Sequence, residues 1–474
     1  MAHDADILLG LAADTTQLVA AAFTADGYEI AQATLASPIE RSEGGQAEQS
    51  QGEAWQSAAA VLRQLGRQLP GLARRTLALA LTGPAGGTWL CDEDGDAVAR
   101  AILPADGRAG ALVERWRASG LAREMARTTG CPPDAAAQCA QLAWLAEHRP
   151  ELLDQAASVF CGKDWLYFCL TGERASEATA ALAAFGSLET GAYDACLLER
   201  LGLQDVARLL PAIVDGTRHQ GALAPAAAAA TGLLVGTPVV LGPVDSIACA
   251  LAAGLGAADE ALGASDPGPG GLHLRACRRR LHRHGPERGV AIRRCADLWF
   301  GLAPHPATLG PEWLVGLAEQ LLADAGLIGV PRAELSALLE RQAAAAPRGA
   351  VRCERADGTS PGWSLSGLTG TTTLYDLLQA THEAVGCEAR ACYAALDQRP
   401  REVRLVGRQP PGAAALQMLG AGLGAQLRPL LRTAPAAAGA ALIAAVSLGV
   451  YKDLAAADAD WVARHLGPPL AAAA

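Results

Sequence analysis

The stretch from Ile7 to Ala33 limits the fold more than any other part of the chain. Ile7-Leu8-Leu9-Gly10-Leu11 is a continuous apolar run, the pattern of a strand covered on both faces. Gln17 to Phe23 is a second run, Asp26-Gly27 is a hairpin signal, and Tyr28 to Ala33 returns as a third strand. The second half opens on an echo of this series. Ala261-Leu262-Gly263 leads into a Gly/Pro turn at Asp266 to Gly271, and Leu272 to Cys277 and Val290 to Arg294 are expected to pair as strands. No tandem repeat of short period accompanies the echo. The 474 residues therefore divide near residue 255 into two units, 1–255 and 256–474, each long enough for its own core.

The remaining punctuation fills out an α/β pattern. Glu40 to Gly52 reads as a polar loop, and Trp55, Ala59, Leu62 and Leu65 share one face of a helix. Thr76 to Leu81 is an apolar strand ending at Gly83-Pro84, and Trp89-Leu90-Cys91 and Ala97 to Ile102 flank a second hairpin signal, Asp94-Gly95. Helical spacing covers Ala109 to Thr128, Asp134 to Glu147, Glu312 to Ala325, Arg332 to Ala344, Leu374 to Leu396 and Ala436 to Leu448. Val403 to Val406 is a buried strand ending at Gly407, and Pro211 to Gly236 is rich in loops.

Composition narrows the partners. A net charge of −10 repels a phosphate backbone, so bulk nucleic-acid binding is disfavoured. The basic segment from Arg275 to Arg294 reads as a solvated hairpin, with anion binding as the alternative. The prolines at 225, 238 and 243 break the uncharged stretch 221–244, and 434–451 is too alanine-rich to insert strongly, so no membrane span is expected. The twelve cysteines form no Cys-x-x-Cys pair, and no secretory leader pattern is read at the start. Reduced thiols in the cytoplasm fit this usage.

One junction carries the chemistry. Val239-Val240-Leu241 runs through Gly242-Pro243-Val244 into Asp245, where a helix begins. Open α/β sheets bind ligands at the carboxyl ends of their strands, so Asp245 is a candidate base; a helix N-cap is the plain alternative.

Several segments resemble the FGGY family of carbohydrate kinases, and their order and spacing carry the likeness over nearly the whole chain. "LLGLAADTTQLVAAAFTADG" (8–27) resembles the first phosphate hairpin, and "LTGPAGGTWLCDEDGDAVARAILPADGRA" (81–109) the sugar-site strand, hairpin and Asp-x-Arg segment. "YFCLTGERASEATAA" (167–181) resembles the Leu-Thr-Gly segment. "GTPVVLGPVDSIACALAAGLG" (236–256) resembles the strand and helix of the catalytic aspartate, and "AAAGAALIAAVSLGVYKDLAAA" (436–457) the C-terminal helix. The resemblance implies an α/β fold of two ribonuclease-H-like, actin-like domains around a cleft.

It also implies ATP and magnesium as cofactors and a small sugar or polyol as substrate, with no nucleic acid or membrane as partner and a homodimer as the assembly to test. By the same likeness Asp245 is the base. Asp106 and Arg108, with Gly83 and Trp89, hold the substrate. Asp14, Thr15, Thr16, Gly263, Ser265, Gly407 and Arg408 surround the phosphates and adenosine.

The chain departs from the family pattern at several of these positions. Ala12 replaces the aspartate of Asp-x-Gly-Thr-Thr and Asp14 its glycine. Asp14 lies two residues on, on the same face of an extended chain, so it is a candidate magnesium ligand; an Asx-type turn residue is the alternative. Ala264 and Arg408 replace residues of the second hairpin and the adenosine loop. Pro84-Ala85-Gly86-Gly87 and Pro104 remove polar and aromatic sugar contacts, which suggests a substrate with fewer hydroxyls, or none. Trp89 reads as packing more than stacking. Two rivals to a working kinase follow: a degenerate member of the fold that only binds, and an actin-like ATPase without a sugar.

Overall fold

The computed structural model describes residues 6–42, 45–266, 271–281, 289–305, 311–326, 329, 331–355, 362–407 and 412–469. Arg408, Arg283 and the turn residues 267–270 lie outside the described residues.

The expected opening strands form as β1 (Ile7–Ala13), β2 (Gln17–Thr24) and β3 (Glu29–Ala36). They join β4 (Thr76–Gly83), β5 (Gly221–Ala222) and β6 (Pro238–Val244) in a sheet ordered β5-β6-β4-β1-β2-β3. The first three strands run antiparallel, and β1, β4 and β6 run parallel. A second sheet contains β7 (Leu262–Asp266), β8 (Leu272–Cys277), β9 (Ala291–Cys295), β10 (Leu298–Pro304), β11 (Glu402–Leu405) and β12 (Gln426–Pro429). Its order is β9-β10-β8-β7-β11-β12. An antiparallel trio (β7, β8, β10) again adjoins two parallel strands (β11, β12). The sequence echo is thus a repeated architecture, a mixed α/β actin-like fold of two ribonuclease-H-like units.

Alternation in β1 explains its continuous apolar run. Ile7, Leu9 and Leu11 pack on one side with α1 (Gln51–Gln68) and α2 (Gly162–Thr171), whereas Leu8 and Ala12 pack on the other. That second face is covered by α4 (Asp245–Ala252) and α6 (Pro435–Ser447); α3 (Ala178–Phe185) lies beside β6. Small residues permit the close approach. A Cβ on Gly10 would lie 2.0 Å from the Ala437 carbonyl oxygen, and one on Gly439 only 1.8 Å from that of Ala248. The abundant alanine of 434–451 therefore serves helix-to-sheet contact, and α6 returns from the second half of the chain to cover the first sheet. No described helix is long and apolar enough to cross a membrane.

Three local expectations are corrected. The polar loop 40–52 contains two short paired strands, Glu40–Ser42 and Gln46–Gln49, and α1 begins at Gln51. Their partner is distant in sequence: Glu48 pairs with Ile102. The segment 290–294 does not pair with β8, because β10 lies between them and hydrogen-bonds to both. The basic stretch is only partly solvated. Arg275 is buried and donates to the carbonyls of Leu396 and Asp397 at 2.7 and 2.6 Å. The guanidiniums of Arg280 and Arg294 lie over the Trp299 ring.

Candidate active site

The ends of β1, β4 and β6 meet at one edge of the first sheet. A side chain on Gly83 would lie 2.8 Å from the Ala13 carbonyl oxygen and 3.2 Å from Lys163 Cβ, so glycine allows the strand ends to converge. Val244 pairs with Gly83, and the chain then turns into α4. Asp245 is the first helical residue, and the cap position belongs to Val244. The Asp245 Oδ1 accepts the neighbouring Ser246 N–H at 2.7 Å.

Asp245 is partly open at its surface yet deep in the protein. Burial pushes its carboxyl above the ordinary range. The Ser246 N–H pulls the other way, the charge of Asp14 adds to the rise, and Arg293 and Lys163 oppose it. Asp14 sits in the tight β1–β2 turn, where its N–H donates to the Gln17 carbonyl at 3.0 Å. Thr15 Oγ1 donates to Asp14 Oδ1 at 3.1 Å, and Thr16 is exposed beside it. Asp266, at the end of β7, joins the same field: Asp245, Asp266 and Asp14 all contribute to raising the Cys249 thiol, though burial contributes most. A Cβ on Gly407 would lie 3.6 Å from Asp266 Oδ1, which brings the segment that follows β11 alongside β7.

A buried polar network supports this edge from behind. Lys163, one of two lysines in the chain, is wholly buried and donates to Asp164 at 2.7 Å, with Glu177 at 3.6 Å. Burial raises Glu177 to about 7 in spite of Lys163. Glu177 accepts the Thr179 N–H at 3.0 Å, and Thr179 Oγ1 accepts the Val244 N–H at 2.9 Å. The residue preceding Asp245 is thus fixed by a chain of hydrogen bonds that ends on a buried cation. Arg293, from β9 in the second sheet, donates to the Thr179 carbonyl and so ties the two halves together there. Sequence reading missed Lys163, Glu177, Arg293 and Asp266. Lys163 alone carried a signal, since it is one of only two lysines and stands with Asp164 at the start of a helix that is mostly apolar.

Next to Asp14 a recess of about 40 Å³ opens, lined by Ala13, Thr15, Leu18, Pro84, Trp89 and Pro104, among others. Its polar groups include Ser37 and Gln49, and Gln49 Nε2 donates to Ser37 Oγ at 2.7 Å. Gly86 has φ +104° and no room for a side chain, because a Cβ would meet the Ala136 carbonyl at 2.4 Å. Trp89 stacks on Trp165 with ring centroids 4.7 Å apart while lining the recess, so packing accounts for most of its surface.

Two of the expected site residues, Asp106 and Ser265, have their polar atoms engaged within the protein. Asp106 Oδ1 accepts from Arg108 N and Nε, and Oδ2 accepts from Ala47 N and Arg108 Nη2, all at 2.7–2.9 Å. These four donors match the acceptor sites of one carboxylate. Arg108 also pairs with Glu48 at 2.5 Å and lies over Trp144, so this pair shapes the wall behind the recess. Ser265 is turned into the interior. Its hydroxyl is buried between His273 Nδ1 (2.8 Å) and the Tyr393 hydroxyl (2.9 Å). Gly263 lies within β7, where a Cβ would meet that same tyrosine hydroxyl at 2.5 Å, so it serves packing.

The sequence profile described as the FGGY family of carbohydrate kinases, N-terminal domain, matches residues 7–252. The erythritol kinase of Brucella abortus (strain 2308) is 35% identical over 480 residues, covering 98% of this chain and 92% of that protein. Xylulose kinase from Rhodospirillum rubrum superposes with a TM-score of 0.85 at 25% identity, over 98% of this chain and 93% of that one. Plasmodium falciparum glycerol kinase with ADP shares the fold at a TM-score of 0.82 and 14% identity, over 98% and 94% of the two chains.

Proposed function

The chain belongs to the FGGY family of carbohydrate kinases, and from that premise we propose that it phosphorylates a short acyclic polyol at one hydroxyl, with Asp245 as the base. ATP-dependent phosphorylation of a carbohydrate is the activity of the family and of this chain. The observation that carries the assignment of the base is the placement of Asp245. It stands at the carboxyl end of a parallel strand, has a raised proton affinity, and is flanked by Asp14, Lys163 and Arg293.

A general base works best when its pKa lies near the operating pH, because it must be ionised yet hold the proton it takes. Burial moves Asp245 in that direction. The proposed transfer is a single displacement. The acceptor hydroxyl gives its proton to Asp245 as its oxygen bonds to the γ-phosphorus, the bond from that phosphorus to the bridging oxygen breaks, and ADP leaves. Thr15, Thr16 and the backbone of the β1–β2 turn would donate to the phosphates, with Gly407 beside the nucleotide.

Magnesium fits the donor set. A hard divalent cation takes carboxylate oxygens, and Asp14, Asp245 and Asp266 all act on the Cys249 thiol, which gathers three carboxylates in one region. Asp14 and Asp266 are the proposed holders, which compensates for Ala12 in the first hairpin. When bound, the ion neutralises phosphate charge.

The substrate class rests on the recess. Pro84, Pro104, Leu18 and Ala13 make it narrow and largely apolar, with Ser37 and Gln49 as the polar contacts proposed for hydroxyls. The Brucella relative named erythritol kinase supports a four-carbon polyol. Reduced thiols support a cytoplasmic setting: none of the twelve cysteines joins another in a disulfide. An acceptor panel of three- to six-carbon polyols and ketoses tests the assignment. It predicts the highest kcat/KM on a tetritol; a ketopentose preferred by tenfold or more would overturn the substrate class.

A further inference from the structure

Behind the β7–β8 hairpin lies a second cluster that the phosphoryl-transfer site does not use. His273 on β8, His305 just after β10 and Cys392 on α5 (Leu374–Ala395) each offer a ligand atom, all within 4.8 Å of one another. All three residues are buried, at 1%, 4% and 0% exposure.

Proton accounting fixes which ring nitrogen is bare. The Tyr393 hydroxyl donates to the Ala264 carbonyl at 2.9 Å, and a carbonyl can only accept. Ser265 therefore gives its own proton to the Tyr393 oxygen, and its oxygen accepts from His273 Nδ1–H. The lone pair of His273 then sits on Nε2, which points at His305 Nδ1, 3.1 Å away. This is the arrangement in which an outer hydrogen bond sets the tautomer of a metal-ligating histidine.

The spacing suits a metal as well as a hydrogen bond. Two nitrogens each at ~2.0–2.1 Å from a tetrahedral ion lie roughly 3.3 Å apart, within a few tenths of an ångström of the separation here. Charge also favours an ion. Glu388, one helical turn before Cys392, acts on His305 electrostatically. A divalent ion, one thiolate and that carboxylate sum to zero, which makes burial of the ion tolerable.

We propose that His273, His305 and Cys392 form a transition-metal site for a borderline divalent ion of the zinc class, placed to stiffen the β7–β8 hairpin from behind. Mixed imidazole and thiolate ligands select such an ion over magnesium, so this site is distinct from the carboxylates of the cleft.

Cobalt titration tests the site. Full-length protein is stripped with a chelator, checked by circular dichroism, incubated with Co²⁺ and titrated back with Zn²⁺. One Co²⁺ per chain is expected, with a thiolate-to-metal band in the near ultraviolet and tetrahedral bands in the visible, all bleached by one equivalent of Zn²⁺. Cys392→Ser should lose the thiolate band, whereas the double change Cys196→Ser and Cys387→Ser, which removes the two exposed cysteines, should keep it. Should C392S fail to fold, the wild type and the double variant still decide the matter. Folded wild type that takes up no stoichiometric Co²⁺, or a band that disappears in the double variant, would overturn the proposal and leave a plain imidazole–imidazole hydrogen bond.

Discussion

The charge of Asp14, in the β1–β2 turn, bears on Asp245, the first residue of α4, and adds to burial in holding that carboxyl above its ordinary range. Arg293 and Lys163 act on the same carboxyl in the opposite sense. The proton affinity of the proposed base is thus set by burial and by residues from three segments outside its own helix, including one from the second sheet. That arrangement makes its titration open to directed change.

A base must be ionised to work, so kcat/KM rises with pH through the pKa of Asp245 in the free enzyme. Removing the anion at 14 stabilises the ionised form: Asp14→Asn should move the acid limb to lower pH. Removing the cation at 293 does the reverse: Arg293→Met should move it to higher pH. Profiles of kcat/KM between pH 4.5 and 9 on whatever activity each variant retains will show opposite displacements. Displacement in one common direction would separate these residues from the titration of the base.

Asp14 and Asp266 are expected to share the magnesium. Asp14→Ala and Asp266→Ala should each raise the Mg²⁺ concentration needed for half-maximal rate by about tenfold or more, since each removes an anionic oxygen from a hard cation. Calorimetry of ATP binding with and without Mg²⁺ gives the same comparison without turnover. Wild-type Mg²⁺ dependence in both variants would return Asp14 to the role of a turn residue.

The buried cation behind the site should matter to stability. Lys163→Met leaves Asp164 and Glu177 without their counter-charge, and breaking a buried ion pair on one side costs about 3–5 kcal/mol. Urea unfolding should show a lower midpoint, recovered in part by Lys163→Met with Glu177→Gln, which removes one of the stranded anions. A midpoint unchanged from wild type would mean that the network does not stay charged.

Close contact between α6 and the first sheet depends on the absence of side chains at two glycines. Gly10→Ala and Gly439→Ala each push a methyl into a backbone carbonyl, which cannot rotate away as a side chain would. Each should destabilise by about 3 kcal/mol or more, at the upper end of overpacking. Gly66→Ala, in α1 with nothing near its missing Cβ, is the control, and it should be neutral or slightly stabilising.

What the sequence conveyed and what it withheld follow from range. β1, β4, β6 and the start of α4 were legible because apolar runs and turn residues are local signals, and with them came the position of Asp245. The strands at 40–49 were hidden because their pairing partner, Ile102, lies far along the chain. The same applies to β10, whose two neighbours both looked like each other's partner. Asp106 and Ser265 matched family segments, but their hydrogen bonds to Ala47 and Tyr393 depend on tertiary contacts that no motif contains. In sequence Arg293 is one member of a charge run; its reach across to Thr179 exists only once the two sheets are assembled.

The most direct test removes only the charge of the proposed base. ADP release is measured with and without a tetritol, at saturating ATP and Mg²⁺, for wild type and Asp245→Asn. Acceptor-dependent release is predicted in the wild type, with a loss of about 10²–10⁴-fold in the variant while ATP binding persists. Acceptor-dependent turnover in D245N within threefold of wild type would contradict Asp245 as the base, and a wild type that releases no ADP in response to any polyol or ketose would contradict the kinase itself.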